Sequence, residues 1–504
     1  MTETVEDPYF KTNMIGAMFM AVALLAVAAS WMSLKMVGPF ILFETFGENL
    51  EDAYNNNLPL VASYIIAQAS VVIIAGKMMD RYGEKKVFWV SSTMFVLGSL
   101  ICAISFDLGS MLTGRIMAGF GAGGIFAVCV SCVGTLFSIE NRGRMQGIMT
   151  AAYAIGSFTG MSIGVWFYDQ FDWRYMFVLF ALLGTIGGFG CWKFLPEKKF
   201  MEKQKVDWIV LGAMFITLLL IMVYSQAVVE KFDMISVESG LFVVAIAVAV
   251  ASTVVLEKRS AYPITPQRMH KHQVSIIAGL FVIGFVLLSV LQMVIRIYLI
   301  NYNHEIPDAV YYASGMLLLI IVGGAGPSLY CCHHITKLGL KPCVRIGCAI
   351  VAIALILSYF FMDKSVYYMM ACMVLLGCGL GFMVTELLVT LQNITPVEDM
   401  GATSSTAMGI RLVGIVSGLA IFSSLLHQTI VDDVSPYLAD IEGMDSFLEI
   451  LIYIIEHAGT LVDRLVVDYT NTALECMIPG IIGCIIIFIL SFFMDNVGTL
   501  EDDE

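Results

Sequence analysis

Gly76-Lys77-Met78-Met79-Asp80-Arg81-Tyr82-Gly83-Glu84-Lys85-Lys86 straddles the end of one apolar run, 57–79, and the start of the next, 87–106. Six of its eleven residues are charged. Gly76 and Gly83 permit close helix contact and a tight turn. Asp80 is placed to meet the N-terminus of a neighbouring helix, or a basic residue. A contact of that kind, made in one conformation and lost in another, is a latch that biases a two-state equilibrium.

The runs flanking this turn are long enough to cross the roughly 30 Å hydrocarbon layer of a membrane, which takes about 20 apolar residues. In lipid every backbone N–H and C=O must be paired within its own segment, so these runs are read as helices. A membrane β-barrel would show short alternating segments instead. The composition agrees: of 504 residues, 59% are hydrophobic and 13% charged, against about 45–50% and about 25% in soluble chains. Apolar runs fall near 13–46, 57–79, 87–106, 109–134, 144–167, 174–195, 207–227, 236–256, 275–300, 309–331, 343–361, 366–390, 401–427 and 474–494. The expected fold is therefore an all-α polytopic membrane protein of about 14 transmembrane helices. Met1–Lys11 is acidic and polar, and no small-residue cleavage site follows the first run, so that helix is expected to be retained as a signal anchor.

Lysine and arginine placement sets the orientation. With the N-terminus inside, nineteen of the 27 fall on the inner side. Arg174, Lys231, Lys364 and Arg464 fall outside, and Lys35, Arg115, Arg296 and Arg411 fall within helices. This is a positive-inside pattern with an even number of helices and both termini cytoplasmic. It suits the cytoplasmic (inner) membrane of a prokaryote. The twelve cysteines lie in or beside apolar runs and are read as free thiols packing as small hydrophobes. Cys331-Cys332-His333-His334 is not read as a metal site, because four consecutive residues cannot surround a tetrahedral ion. No metal and no cofactor are expected.

The turn at 76–86 resembles the G-x-x-x-D-R-x-G-x-[KR]-[KR] loop of the major facilitator superfamily, in spacing and in its place between the second and third helices. Arg115-Ile-Met-Ala-Gly119-Phe-Gly121 resembles that family's R-x-x-x-G-x-G segment in the fourth helix. Gly156-Ser-Phe-Thr-Gly160-Met-Ser-Ile-Gly164 resembles its glycine-rich antiporter motif, with Met161 where a proline is usual. Small residues four apart also let helices approach closely, so packing explains them equally well. Asp172-Trp173-Arg174, Val206-Asp207-Trp208 with Gly212, and Gly401-Ala-Thr-Ser-Ser running to Arg411 are similar to the branch of 14-helix drug:proton antiporters.

The resemblance covers essentially the whole chain. It implies two six-helix bundles related by a pseudo-two-fold axis, with the solute site between them at mid-membrane. On this reading residues 1–205 form the N-terminal bundle, 206–256 two additional helices, and 257–274 a basic cytoplasmic linker. Residues 275–504 form the C-terminal bundle. An acidic outer insert at 428–473 carries apolar residues at helical spacing, which suggests a short amphipathic helix.

A charge at the bilayer centre costs at least about 2.5–3.5 kcal/mol, so it is expected to face a cavity or a partner. Lys35 and Arg296 sit at similar depth in the first and ninth helices, which correspond under the pseudo-symmetry. This resembles the paired cations of anion-transporting members. They are the leading substrate-binding candidates, with Trp31 on the face of Lys35, Gln292 on the face of Arg296, and the polar pair Tyr64 and Gln68 on the second helix. Coupling or gating is assigned to Gly76, Asp80, Arg81, Gly83, Arg115, Gly156, Gly160, Glu386 and Arg411. Drug exporters of this family often carry an acid about nine residues before a proline in the first helix. Here Pro39 is that proline and Ser30 holds the acid's place. Glu386 is the one carboxylate deep in a C-terminal helix, placed to titrate or to pair Arg411 or Arg296.

No G-x-x-x-x-G-K-[ST] segment is present, so an ion or solute gradient, with protons the expected coupling ion, must drive any transport. An enzyme is not expected, because no intramembrane His, Asp or Ser cluster stands at catalytic spacing. A non-transporting sensor would need a soluble signalling domain. The expected function is secondary active transport of a small organic solute, with an anion and broad multidrug efflux by antiport both open. The expected partners are membrane lipid, the solute and protons or another coupling ion, with no nucleic acid and a monomeric chain.

Overall fold

The computed structural model describes residues 10–46, 50–196, 207–230, 237–260, 276–283, 319–320, 322–324, 326–327, 340–361, 366–396, 399–415 and 477–492. All regular structure among them is helical. The helices are α1 (Phe10–Phe46), α2 (Leu50–Tyr82), α3 (Glu84–Ala103), α4 (Leu108–Leu136), α5 (Ile139–Gln170), α6 (Arg174–Phe194), α7 (Trp208–Glu230), α8 (Val237–Arg259), α9 (Leu340–Phe361), α10 (Val366–Asn393), α11 (400–415) and α12 (Met477–Leu490). Eight helices among the described residues are long and apolar enough to cross a membrane. The outer insert 428–473, most of the linker, and the Cys331–His334 cluster lie outside the described residues. So do the partners Gln292 and Arg296.

Local chemistry explains where the helices break. Gly83 separates α2 from α3 with φ 87°, a conformation that a side chain would strain. Asp107 caps α4, its carboxylate accepting from the Ser110 nitrogen at 2.8 Å while Ser110 Oγ accepts from the Asp107 nitrogen at 3.2 Å. Asp207 accepts from the Ile209 nitrogen at 3.0 Å at the start of α7, and from Ser260 Oγ at 2.7 Å just past α8. That ties the start of α7 to the end of α8. Helix α8 runs through Arg259, so the first residues expected of the linker, Glu257, Lys258 and Arg259, form its last turn instead. Lys258 and Arg259 there are favourably placed at a helix C-terminus.

One large core joins α1 to α6: α3 packs on α4 and α6, α1 on α5 and α6, and α2 on α4. Glycines set the closeness of α4. A Cβ at Gly119 would meet the backbone of Tyr64, and one at Gly123 that of Gln68, so α2 lies directly on α4. A second core joins residues 276–283, α9, α10 and α12. Helix α7 rests on α2 through Ile73, Val210 and Leu211. It pairs with α8 through the Thr217 and Thr253 hydroxyls, 2.9 Å apart and buried. The outer face of α8 exposes Leu241, Val243, Val244 and Val248, as a lipid-facing helix would.

Candidate functional site

Asp80 sits at the end of α2, past the apolar run, and is buried against the start of α11. Its two carboxylate oxygens accept from the backbone nitrogens of Gly401 at 3.1 Å and Ala402 at 3.0 Å. These are among the helix-end N–H groups that have no partner within α11, and they carry its positive dipole end. Close approach is required: a Cβ at Gly76 would meet the Ser405 side chain and the Gly401 carbonyl. Burial pushes the Asp80 carboxyl up to about 7. The Asp399 charge adds to the rise, while the Ala402 and Gly401 nitrogens and Lys77 oppose it. Arg81 turns away from this contact, its guanidinium 5.1 Å above the Tyr82 ring.

A second tie lies at the same end of the molecule. Arg142, at the start of α5, donates through Nη1 to Asn393 Oδ1 at 2.9 Å and to the Gln392 carbonyl at 3.3 Å. Gln392 Nε2 donates to the Val130 carbonyl of α4 at 2.9 Å. Helices α4 and α5 are thereby joined to α10. The sequence reading counted Arg142 only as one more inner-side cation. Its sole sequence signal is a basic side chain at a helix start, where it adds nothing to the dipole.

Among the described residues of α1 to α6 the most deeply buried charge is Arg115, which is completely buried on α4. Nη1 donates to the Ser30 carbonyl and to Ser30 Oγ, both at 3.1 Å. The guanidinium lies 4.2 Å over the Tyr64 ring, a cation–π contact strengthened by exclusion of water. Tyr64 in turn donates its hydroxyl to the Val27 carbonyl at 3.0 Å. Nε and Nη2 of Arg115 have no hydrogen-bond partner among the described residues. Ser30 thus stands opposite Arg115, at the position where the family resemblance puts an acid.

From Tyr64 the polar groups continue along α2 to Gln68, one turn on and buried. Tyr153 of α5 lies beside Tyr64, Gln68 and Arg411 of α11, and packs edge-on against Phe126 at 5.4 Å. Among the described residues Trp31 Nε1 and Arg411 Nε, like the Arg115 nitrogens, are buried donors without partners, while Gln68 reaches the Tyr153 hydroxyl. The structure therefore brings Ser30, Tyr64, Gln68, Arg115, Tyr153 and Arg411 into one neighbourhood running from α1 to α11, while Trp31 lies next to Ser30 on α1.

Other candidates fall elsewhere. Lys35 lies on α1, its side chain outside the described set. Glu386 is fully buried on α10. Gly156 and Gly160 face the backbone of α1 at Leu25 and Ala29, with Gly164 against Ser33. Their role here is to set the spacing of α1 and α5, which positions Ser30 and Trp31. Asp172-Trp173-Arg174 is likewise a fastening: Trp173 Nε1 donates to Thr45 Oγ1 at 3.1 Å, and Arg174 Nη2 to the Ser105 carbonyl at 3.1 Å. The described cysteines are free, and the described residues contain no cluster of metal-ligating side chains.

Comparison with known proteins agrees with this architecture. The chain is 24% identical over 391 residues to "Multidrug resistance protein 3" of Bacillus subtilis, covering 76% of this chain and 75% of that protein. It is 29% identical over 381 residues to an uncharacterised MFS-type transporter of Mycobacterium tuberculosis, covering 72% of this chain and 53% of the longer relative. Its fold is similar to that of the human organic anion transporter MFSD10, with a TM-score of 0.66 at 12% identity over 96% of this chain and 99% of that one. The sequence model of the Major Facilitator Superfamily matches residues 20–419, most of the chain and every element of the two ties and the Arg115 neighbourhood, and the chain belongs to that superfamily of membrane transporters.

Proposed function

We propose that the chain is a proton-driven secondary active transporter working by alternating access, and that its solute is a small organic molecule bearing an anionic or acceptor-rich group. Arg115 carries this reading: a fully buried guanidinium with Nε and Nη2 unpartnered among the described residues, and a serine where a carboxylate would neutralise it. A buried charge left partly unsatisfied is costly. It suits a site that a ligand completes during the cycle. The nitrogens of Trp31 and Arg411 that lack partners among the described residues are likewise donors, suited to the same kind of ligand. Lys35 and Arg296 are assigned to the same task on sequence grounds. Glu386 is the buried carboxylate assigned to carry the proton. The Asp80 and Arg142 ties support a state closed at the basic, cytoplasmic end, which must open for the solute to cross.

The test is flux in proteoliposomes under an imposed pH gradient, with a series of organic anions and a series of amphiphilic cations. Anion flux is expected to fall by roughly tenfold or more in Arg115→Gln, since hydrogen bonds to charged groups are worth about 1.5–3 kcal/mol. Lys35→Gln and Arg296→Gln are expected to weaken it as well. Unchanged anion flux in Arg115→Gln overturns the assignment. A second reading, multidrug efflux, is favoured by the printed name of the Bacillus subtilis relative. Equal export of amphiphilic cations by the parent and by Arg115→Gln would decide for it.

A further inference from the structure

We propose that a groove between α2, α3, α4 and α7 holds one acyl chain of an anionic phospholipid, with Lys86 meeting the phosphate. The groove has a cavity volume of about 560 Å³, within the roughly 300–1,000 Å³ of small-molecule sites. It is lined by Tyr82 and Lys86 at the α2–α3 turn, the end taken as its mouth, and follows α2 to Val71, with Phe120 of α4 and Phe215 of α7 also lining it. From Tyr82 to Val71 is eleven residues of one helix, about 16 Å at about 1.5 Å per residue. That is the depth of one leaflet, half of a hydrocarbon layer of roughly 30 Å.

The lining chooses the ligand. Below the mouth the walls are aliphatic and aromatic apart from Ser91, so a polar solute would leave its own hydrogen-bonding groups unmet. The mouth faces outward, with Val90 54% exposed and Tyr82 42% exposed. Its level is marked by Trp89 and Trp192, rings 5.7 Å apart, with Lys85 Nζ 5.1 Å over the Trp192 ring. Tryptophan and lysine collect at the headgroup level of a bilayer. Arg81, Lys85 and Lys86 give that level a positive charge, complementary to an anionic headgroup. Phe120 and Phe215, with ring centroids 6.4 Å apart, bridge α4 to the inserted helix α7 at the inner end. A chain lodged here fills the seam between the N-terminal bundle and the inserted pair, beside the turn that carries Asp80.

The test is native mass spectrometry of the detergent-purified full chain with added phosphatidylglycerol or phosphatidylcholine, for the parent, Lys86→Gln, Val90→Trp and the off-groove control Lys258→Gln. Thermal melts confirm that each variant is folded. The parent is expected to prefer phosphatidylglycerol by about fivefold, the worth of one lysine near an anionic surface. Lys86→Gln should reduce that preference and Lys258→Gln should keep it. Val90→Trp should weaken both lipids by obstructing the mouth. An unchanged preference in Lys86→Gln overturns the headgroup assignment. Unchanged retention of both lipids in Val90→Trp overturns the groove. Displacement of the lipid by an amphiphilic transported solute, with no headgroup preference, would make the groove a solute site and sink the proposal.

Discussion

The carboxylate of Asp80 and the backbone nitrogen of Gly401 are 321 residues apart in the chain and 3.1 Å apart in space. With the Ala402 nitrogen on the other oxygen, this is the N-terminus of α11 capped from the end of α2. Replacing Asp80 by Ala leaves two donors buried without acceptors, a cost of about 1–3 kcal/mol each. If the contact is a latch made only when this end is closed, the cost falls on one state. Asp80→Ala is expected to shift the closed-to-open ratio by roughly tenfold or more. Distances between spin labels on α2 and α11 measure that shift, and an unchanged distribution removes the latch.

The same contact makes closure depend on pH. The buried Asp80 carboxyl titrates near 7, whereas a free aspartate titrates at 3.8. The closed state therefore holds its proton more tightly than an open, hydrated one. Closure is expected to be favoured at low pH, to weaken as pH rises from about 4 to about 7, and to level off above that. Asp80→Asn should flatten the profile. The label distances recorded from pH 5 to pH 8 check this, and closure that strengthens with pH contradicts it.

Arg142 and Asn393, 2.9 Å apart, form a tie independent of Asp80. Arg142→Ala is expected to loosen the same end, by about 1.5–3 kcal/mol. If both contacts hold one closed state, each single variant shifts the equilibrium and the double variant opens it further. A double-mutant cycle in the label distances measures the coupling. A double variant no more open than either single one would mean that the two contacts belong to different states.

The membrane helices, the turn at Gly83 and the cation inside α4 were legible because hydropathy, φ and charge are local properties. The serine at position 30 was also visible, because the family resemblance puts an acid about nine residues before the proline that Pro39 matches. What stayed hidden were partners far along the chain. Asp80 announced that it sought a helix N-terminus or a base, but nothing local names α11. Arg142 counted as an inner cation, yet its acceptors come from the end of α10. Gly156 and Gly160 read as a motif, while their contacts are with the backbone of α1. That difference lies in packing between helices, which residue type alone does not encode.

Two glycines on neighbouring helices should respond oppositely to one added methyl. At Gly119 a Cβ would meet the Tyr64 backbone and the Ala67 side chain, whereas at Gly147 nothing lies within 4 Å. Gly119→Ala is expected to destabilise by about 1–3 kcal/mol through overpacking of α4 on α2. Gly147→Ala in α5 should stabilise by about 0.5–1 kcal/mol, because a flexible residue leaves a helix interior. Melting temperatures in detergent, ordered Gly147→Ala above parent above Gly119→Ala, check both.

Ser30 and Arg115 give the sharpest test of what the transporter carries. Ser30 Oγ lies 3.1 Å from Arg115 Nη1, so Ser30→Asp places a carboxylate within reach of a guanidinium that now lacks one. A buried pair of this geometry satisfies both charges, and the cation is no longer offered to a ligand. Anion flux is expected to drop by roughly tenfold or more, since the lost interaction is worth about 1.5–3 kcal/mol. The new acid can also take a proton, so the pH profile of the residual flux should differ from the parent's. Ser30→Ala separates the two effects: it removes one hydrogen bond to Arg115 but leaves the charge open. It should therefore retain anion flux where Ser30→Asp does not. Equal flux in both variants would mean that Arg115 only braces α4 against α1.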